Sequence, residues 1–175
     1  MQALAISLFP VLNVLGVVLM FFAFTLLVPL AIAFFGSEPA LAAYDKSFLT
    51  TIGAGAAMWF VTRRFKRELQ PRDGFLLVTL VWTVLPAFST LPLTFFMPEL
   101  SFTDAYFEAM SGLSTTGATV LTGLDALPAS INFWRCQLQW IGGMLPFMGI
   151  QVIAIFLLYA FPAIGLWLPN VLYGR

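Results

Sequence analysis

The chain has 175 residues, of which 61% are hydrophobic and 9% charged, with a formal net charge of zero. Soluble domains carry roughly 25% charged residues, so most of this surface must face lipid, and neutrality argues against nucleic acid as a partner. There is no His and a single Cys, Cys136; this removes His acid–base chemistry, Cys/His zinc sites and any intrachain disulfide. With no paired carboxylates at helical spacing in the apolar segments, there is no acid–base machinery for an enzyme, and no residue pattern calls for a cofactor.

In chain order, residues 6–35 carry no charge and exceed the about 20 mostly apolar residues that a hydrocarbon core of ~30 Å demands of a spanning helix. Their length, and the lack of a basic start or A-x-A pattern, mark a retained helix rather than a signal peptide. Pro10 and Pro29 lie near its ends, where a missing N–H or a kink is tolerated. A polar turn over residues 36–46 leads to a second helix at 47–61. Its small residues Thr50, Thr51, Gly53 and Gly55 suit close helix packing, with Tyr44 and Trp59 marking interfacial ends. Residues 62–74 hold Arg63, Arg64, Lys66, Arg67 and Arg72, five of the eight basic residues. Between spans, such a cluster sets orientation by the positive-inside rule and makes this loop, and hence the N-terminus, cytoplasmic. Residues 75–97 form a third span, bent or ended early by Pro86 and Pro92. Residues 132–168 form a fourth, with Trp134 and Trp140 near the outer end and Trp167 near the other. The Phe-rich aromatics read as lipid-facing and packing residues, and Cys136 as a small packing residue. The predicted fold is an all-α membrane protein of about four transmembrane helices in one membrane domain, with both termini inside.

Residues 101–130 fit no span: they are too polar to cross and too apolar for an ordinary loop. Ser101 or Thr103 can cap a helix, Asp104 sits in its first turn, and Gly112 is placed to end it. Phe102, Ala105, Tyr106, Ala109, Met110 and Leu113 give an apolar face at helical spacing. About ten residues reach ~15 Å, half the hydrocarbon core, so a helix entering from outside stops near the middle and the chain must return. The returning strand is STTGAT, Ser114 to Thr119. Non-helical backbone at that depth is tolerated only when buried in protein or lining a watery cavity. Thr115, Thr116, Gly117 and Ala118 are small enough to let main-chain carbonyls face a common axis, where they can replace the hydration shell of a large monovalent cation. Gly117 also allows backbone angles that a Cβ would resist. The negative end of the short helix dipole favours a cation at the same place. These residues leave two readings open, a cation-permeation loop and a re-entrant hairpin with a purely structural role.

Several strings along the chain, RDGFL at residues 72–76, TDAYFEAMSGLSTTGAT at 103–119, GLDALP at 123–128 and WRCQLQWIGGM at 134–144, resemble the Trk/Ktr/HKT superfamily of potassium transporters, most closely its TrkH-type bacterial members. The resemblance implies a helix–pore loop–helix unit repeated four times around a central pore, preceded by two extra helices. On that pattern residues 1–61 are the two N-terminal helices, 62–74 a basic cytoplasmic loop and 75–175 the first repeat. It implies a filter at Thr115, Thr116 and Gly117 with Ala118 adjacent, potassium held at Thr115 and Thr116, and no catalytic residues. It further implies residence in the bacterial cytoplasmic membrane and a cytoplasmic nucleotide-binding regulator of the TrkA or KtrA type.

Two departures from the family pattern stand out: Leu145 and Pro146 follow Gly142, Gly143 and Met144, and the sequence ends at Arg175 where three more repeats are expected. One repeat cannot enclose a pore, so the chain is expected to be one quarter of the pore, completed by the remaining repeats or by homo-oligomer copies. A truncated, non-conducting membrane remnant or assembly protein is the competing reading. Outside the filter, Glu108 either attracts cations to the mouth or anchors the filter strand through Arg135 or backbone N–H groups, the anchor being favoured. Arg135 can pair with Asp104, Glu108 or Asp125. Asn132 is expected to cap the fourth span.

Overall fold

The computed structural model describes residues 2–64 and 70–144. Lys66 and Arg67, the fourth span beyond Met144 with Trp167, and the Leu145–Pro146 interruption lie outside the described residues. Among those residues the fold is entirely helical: α1 (Gln2–Thr25), α2 (Leu27–Phe35), α3 (Leu41–Thr62), α4 (Pro71–Ser89), α5 (Leu91–Phe96), α6 (Phe102–Leu113) and α7 (Ala129–Gln139). A 3-10 turn at Leu124–Ala126 precedes α7, and a π turn at Trp140–Met144 continues it.

The stretch 8–35 remains helical across one irregular residue, Leu26. It and the 26-residue stretch 71–96 are long and apolar enough to cross a membrane, and only 33% and 17% of their most apolar windows are buried. Phe21, Phe24, Phe35, Phe75 and Val78 accordingly point outward, as side chains solvated by lipid do. The third span starts before its predicted first residue, because Gln70 and Asp73 form a reciprocal capping box with Pro71 in the first turn; Pro is at ease there because its missing N–H would have no helical partner anyway. Thr90 then separates α4 from α5, with Pro92 opening the second piece.

The second helix is longer than expected. At 22 residues and 1.5 Å per residue, α3 reaches ~33 Å. Tyr44 is not an interfacial marker but fully buried, its hydroxyl donating to the Ser130 carbonyl at 2.8 Å. Residues Ser47, Thr51 and Gly55 follow Tyr44 along one buried face of α3, and this face makes the most extensive helix pair of the fold, with α1. At its centre a Cβ on Gly16 would lie 2.8 Å from the Gly55 carbonyl oxygen, and one on Gly55 would lie 2.8 Å from that of Gly16. The two backbones therefore touch, as small-residue packing permits. Asn13 closes the same interface by donating to Thr62 Oγ1 at 3.1 Å. Thr50 and Gly53 are exposed on the other side.

Helix α7 is the strut of the bundle. Its N-terminus is capped not by Asn132 but by Glu38 in the α2–α3 turn, whose carboxylate accepts from the Ala129 and Ser130 N–H groups, both at 3.1 Å. An anion there satisfies orphan donors and opposes the positive helix end. Asn132, one turn in, donates to the Leu124 carbonyl at 2.8 Å. Trp134 is fully buried, packed at a tilt against Phe22, its indole N–H donating to the Ser89 carbonyl at 3.1 Å. Gln137 donates to the Thr25 carbonyl at 3.0 Å, which lacks its helical donor because residue 29 is proline. Cys136 is exposed and not a packing residue.

Replacing Gly55 by Leu must push α1 and α3 apart, an overpacking cost of about 1–3 kcal/mol. Thermal unfolding in detergent should show a clearly lowered midpoint for Gly55→Leu and no loss for Gly53→Leu, since nothing lies within 4 Å of a Cβ at Gly53.

Candidate functional site

Helix α6 begins as its sequence dictates. Ser101 is the N-cap, accepting from the Asp104 N–H at 3.1 Å and donating from its hydroxyl to the Asp104 carboxylate at 2.7 Å. Asp104 is thus occupied within the cap and does not reach the loop. The helix runs one residue past Gly112, which sits inside it because Leu138 of α7 packs against it; a Cβ there would lie 3.0 Å from Leu138 Cβ.

The end of α6 is a Schellman motif: Thr116 N–H donates to the Ser111 carbonyl at 3.0 Å and Thr115 N–H to that of Gly112 at 2.9 Å. This motif needs a left-handed residue after the cap, usually glycine, and here the residue is Thr115, with φ +58°. A left-handed L-residue costs roughly 1–3 kcal/mol and persists only where its surroundings fix it. Gly117, two residues on, is also left-handed at φ +73°.

From there the chain doubles back along α6. Ser111 Oγ donates to the Ala118 carbonyl at 2.7 Å, one turn above the helix end. A further turn back, the Glu108 carboxylate accepts from Thr119 Oγ1 at 3.0 and 2.9 Å and from the Val120 N–H at 3.1 Å. Its other partner is Arg135 of α7, whose Nε lies 2.6 Å from Glu108 Oε1, the two side chains being 18% and 3% exposed. Glu108 is thus joined to both groups considered for it, Arg135 and a strand N–H. Arg135 pairs with Glu108 rather than Asp104 or Asp125, the latter standing exposed on the 3-10 turn.

This wiring leaves the strand polar on one side only. The N–H groups of Thr115, Thr116 and Gly117 all point to α6 carbonyls, the last at 3.4 Å from Ser111 O. No donor among the described residues reaches the carbonyl oxygens of Thr115, Thr116 or Gly117. Residues 114–120 are exposed, and the three acceptors without a donor are consecutive within them. The carbonyl of Ala118, by contrast, faces α6 and its serine.

Behind the strand stand α7 and its π turn. Gly142 and Gly143 are there because nothing larger fits: a Cβ on Gly142 would overlap the Leu113 backbone, and one on Gly143 would overlap the Thr115 methyl. A wide π turn frequently marks a functional position in a helix. The signal of this close backbone approach in the sequence is the pair itself, two adjacent glycines inside an apolar helix.

Apolar helices with lipid-solvated outer faces, enclosing a short helix with a returning strand, define an all-α membrane protein. The chain belongs to the TrkH family of cation transport proteins, whose family model matches residues 41–164. It is 44% identical over 160 residues to the Trk system potassium uptake protein TrkH of Halomonas elongata, covering 91% of this chain and 32% of that one. With the protein of the same name from Escherichia coli it shares 42% over 147 residues, 83% of this chain and 30% of the relative. The crystal structure of the potassium transporter TrkH from Vibrio parahaemolyticus superposes with a TM-score of 0.73 at 42% identity, over 86% of this chain and 32% of that one. The chain thus spans about a third of the length of these relatives.

Removing the Glu108 carboxylate while keeping Arg135 strands a partly buried guanidinium, at a cost below the about 3–5 kcal/mol of a fully buried pair. Denaturant unfolding of the detergent-solubilised protein should therefore show Glu108→Ala to be more damaging than the double variant Glu108→Ala with Arg135→Met. Equal damage would mean that the guanidinium left behind carries no penalty of its own.

Proposed function

We propose that this chain supplies one quarter of the pore of a potassium uptake transporter, with potassium passing along the carbonyl oxygens of Thr115, Thr116 and Gly117. The observation that carries this reading is the one-sided strand: every N–H of those residues is consumed by α6, and the three carbonyls receive no donor among the described residues. Potassium is a large, weakly hydrated cation, and a ring of such oxygens can stand in for its water shell. Four strands are needed to surround it, supplied by further repeats or by copies of this one. The hydroxyl of Thr115 donates to the Ser114 carbonyl at 2.7 Å, so its oxygen is an accessory group at the same level. Ala118 borders the filter and fixes the far end of the strand through Ser111.

In the membrane, α6 is a re-entrant pore helix; at 12 residues it reaches ~18 Å, too short to cross ~30 Å of hydrocarbon. Residues 1–61 are two preceding helices and residues 75–175 the first helix–pore loop–helix repeat. The basic loop at 62–74 faces the cytoplasm of a bacterial cell, with both termini on that side. A cytoplasmic nucleotide-binding regulator of the TrkA or KtrA type acts on the assembled transporter. The naming of the relatives as Trk system potassium uptake proteins supports the substrate.

Gly117→Val tests the filter. A β-branched residue cannot hold φ +73° without strain, so the strand must rearrange. Reconstituted into liposomes as part of the complete pore assembly, the variant should lose potassium selectivity over sodium by about tenfold, the equivalent of ~1.4 kcal/mol at the site. Unchanged selective flux would remove the filter assignment.

A further inference from the structure

The close contacts between α7 and the loop follow one helical face. Arg135 meets Glu108, Leu138 meets Gly112, Gly142 meets Leu113 and Gly143 meets Thr115. Gln139 belongs to the same face, and its carboxamide reaches the one strand residue without a side chain. A Cβ on Gly117 would lie 3.9 Å from Gln139 Nε2, and among the described residues no other group outside its chain neighbours comes within 4 Å of that position. Among the described residues nothing hydrogen-bonds to this carboxamide. The Ala118 N–H is likewise without a partner among them.

These two open groups belong together chemically. The peptide joining Gly117 to Ala118 is planar, so its C=O and N–H point in opposite directions. When the Gly117 carbonyl faces the axis, the Ala118 N–H faces away from it. Glycine is the residue whose peptide turns over most readily, and parallel carbonyls repel one another once a cation leaves them. An acceptor on the Ala118 N–H would hold the carbonyl outward without competing for it. The terminal torsion of a glutamine side chain exchanges its O and N ends at little cost, which brings Oε1 to the position of Nε2.

We propose that Gln139 is a positioning residue for the filter: its carboxamide oxygen accepts the Ala118 N–H, directly or through one water, and fixes the orientation of the Gly117 carbonyl. The inference rests on the filter reading given above. It differs from the role of Glu108, which secures the strand further along at Thr119 and Val120.

The test compares Gln139→Leu, Gln139→Glu and Gln139→Asn with Gly117→Val in the complete transporter assembly in liposomes, reading the potassium-to-sodium flux ratio and, separately, the melting midpoint and assembly mass in detergent. Loss of one hydrogen bond corresponds to about a three- to tenfold fall in the ratio, expected for Gln139→Leu, which is similar in size but has no acceptor. Gln139→Glu keeps an acceptor at the same reach and should retain most of the ratio. Gln139→Asn, one methylene short, should lose it and serves as the second probe if the Leu variant fails to assemble. A Leu or Asn variant with an unchanged ratio, beside a Gly117→Val variant that has lost it, overturns the role of Gln139 and leaves the filter standing. If Gly117→Val is unchanged as well, the filter reading falls and this inference with it. A ratio that tracks only the melting midpoint across the variants, with no advantage for Gln139→Glu, also overturns it.

Discussion

Glu108 satisfies three separate parts of the chain with one carboxylate: the Arg135 guanidinium on α7, and a hydroxyl and an N–H on the returning strand. A charge 3% exposed is tolerable only because both oxygens are occupied and an opposite charge lies against it. The strand depends on this arrangement. Leaving α6 through a left-handed threonine and keeping three carbonyls unbonded are both unfavourable for an isolated segment, so the return must be secured at its far end. Ser111 holds it at Ala118 and Glu108 at Thr119 and Val120. The ion pair in turn fixes α7 against α6 at the spacing that lets Gly142 and Gly143 back the loop.

The rest of the bundle converges on α7. Its side chains take up carbonyls at two helix interruptions, Gln137 at Thr25 and Trp134 at Ser89, while Glu38 caps its start and Tyr44 bonds its first turn. In a lipid-solvated protein, packing and hydrogen bonds must supply the specificity that a hydrophobic core supplies in water. Each break in α1–α2 and α4–α5 thus provides a polar handle at a defined height, and α7 grips it. The touching backbones of Gly16 and Gly55 do the same for α1 and α3 by shape alone.

Much of this was legible in the sequence because it is governed by local rules. The apolar runs, the Ser101 cap with Asp104, and the small residues of STTGAT each follow from a few neighbouring positions. That Glu108 needs partners was readable too, since a carboxylate within an apolar helix must be satisfied. The choice of Glu108 over Asp104 and Asp125 as the mate of Arg135 was not, because it is a distance between α6 and α7. The same limit explains the displaced roles of Gly112, Asn132 and Trp134. Gly112 has the composition of a helix stop but is required by Leu138, Asn132 has that of a cap but is preceded by the Glu38 carboxylate, and Trp134 sits where an interfacial tryptophan would but is covered by Phe22. The left-handed Thr115 had no signal of its own, since the residue usual at that position is glycine.

The capping of α7 by Glu38 has a consequence for how the protein is made. Donor and acceptor are separated by 91 and 92 positions, and the acceptor is synthesised first. As the ribosome delivers the chain, the α2–α3 turn presents its carboxylate, and α3 its Tyr44 hydroxyl, well before Ala129 and Ser130 emerge. The first-made helices, already joined at Gly16 and Gly55, are a template with a charged socket, and the later helix is the piece that docks. Non-local contacts of this kind slow folding when a chain must find them from a fully unfolded state, but vectorial synthesis from the N-terminus presents them in order. Refolding from denaturant and biogenesis at the membrane therefore start from different problems.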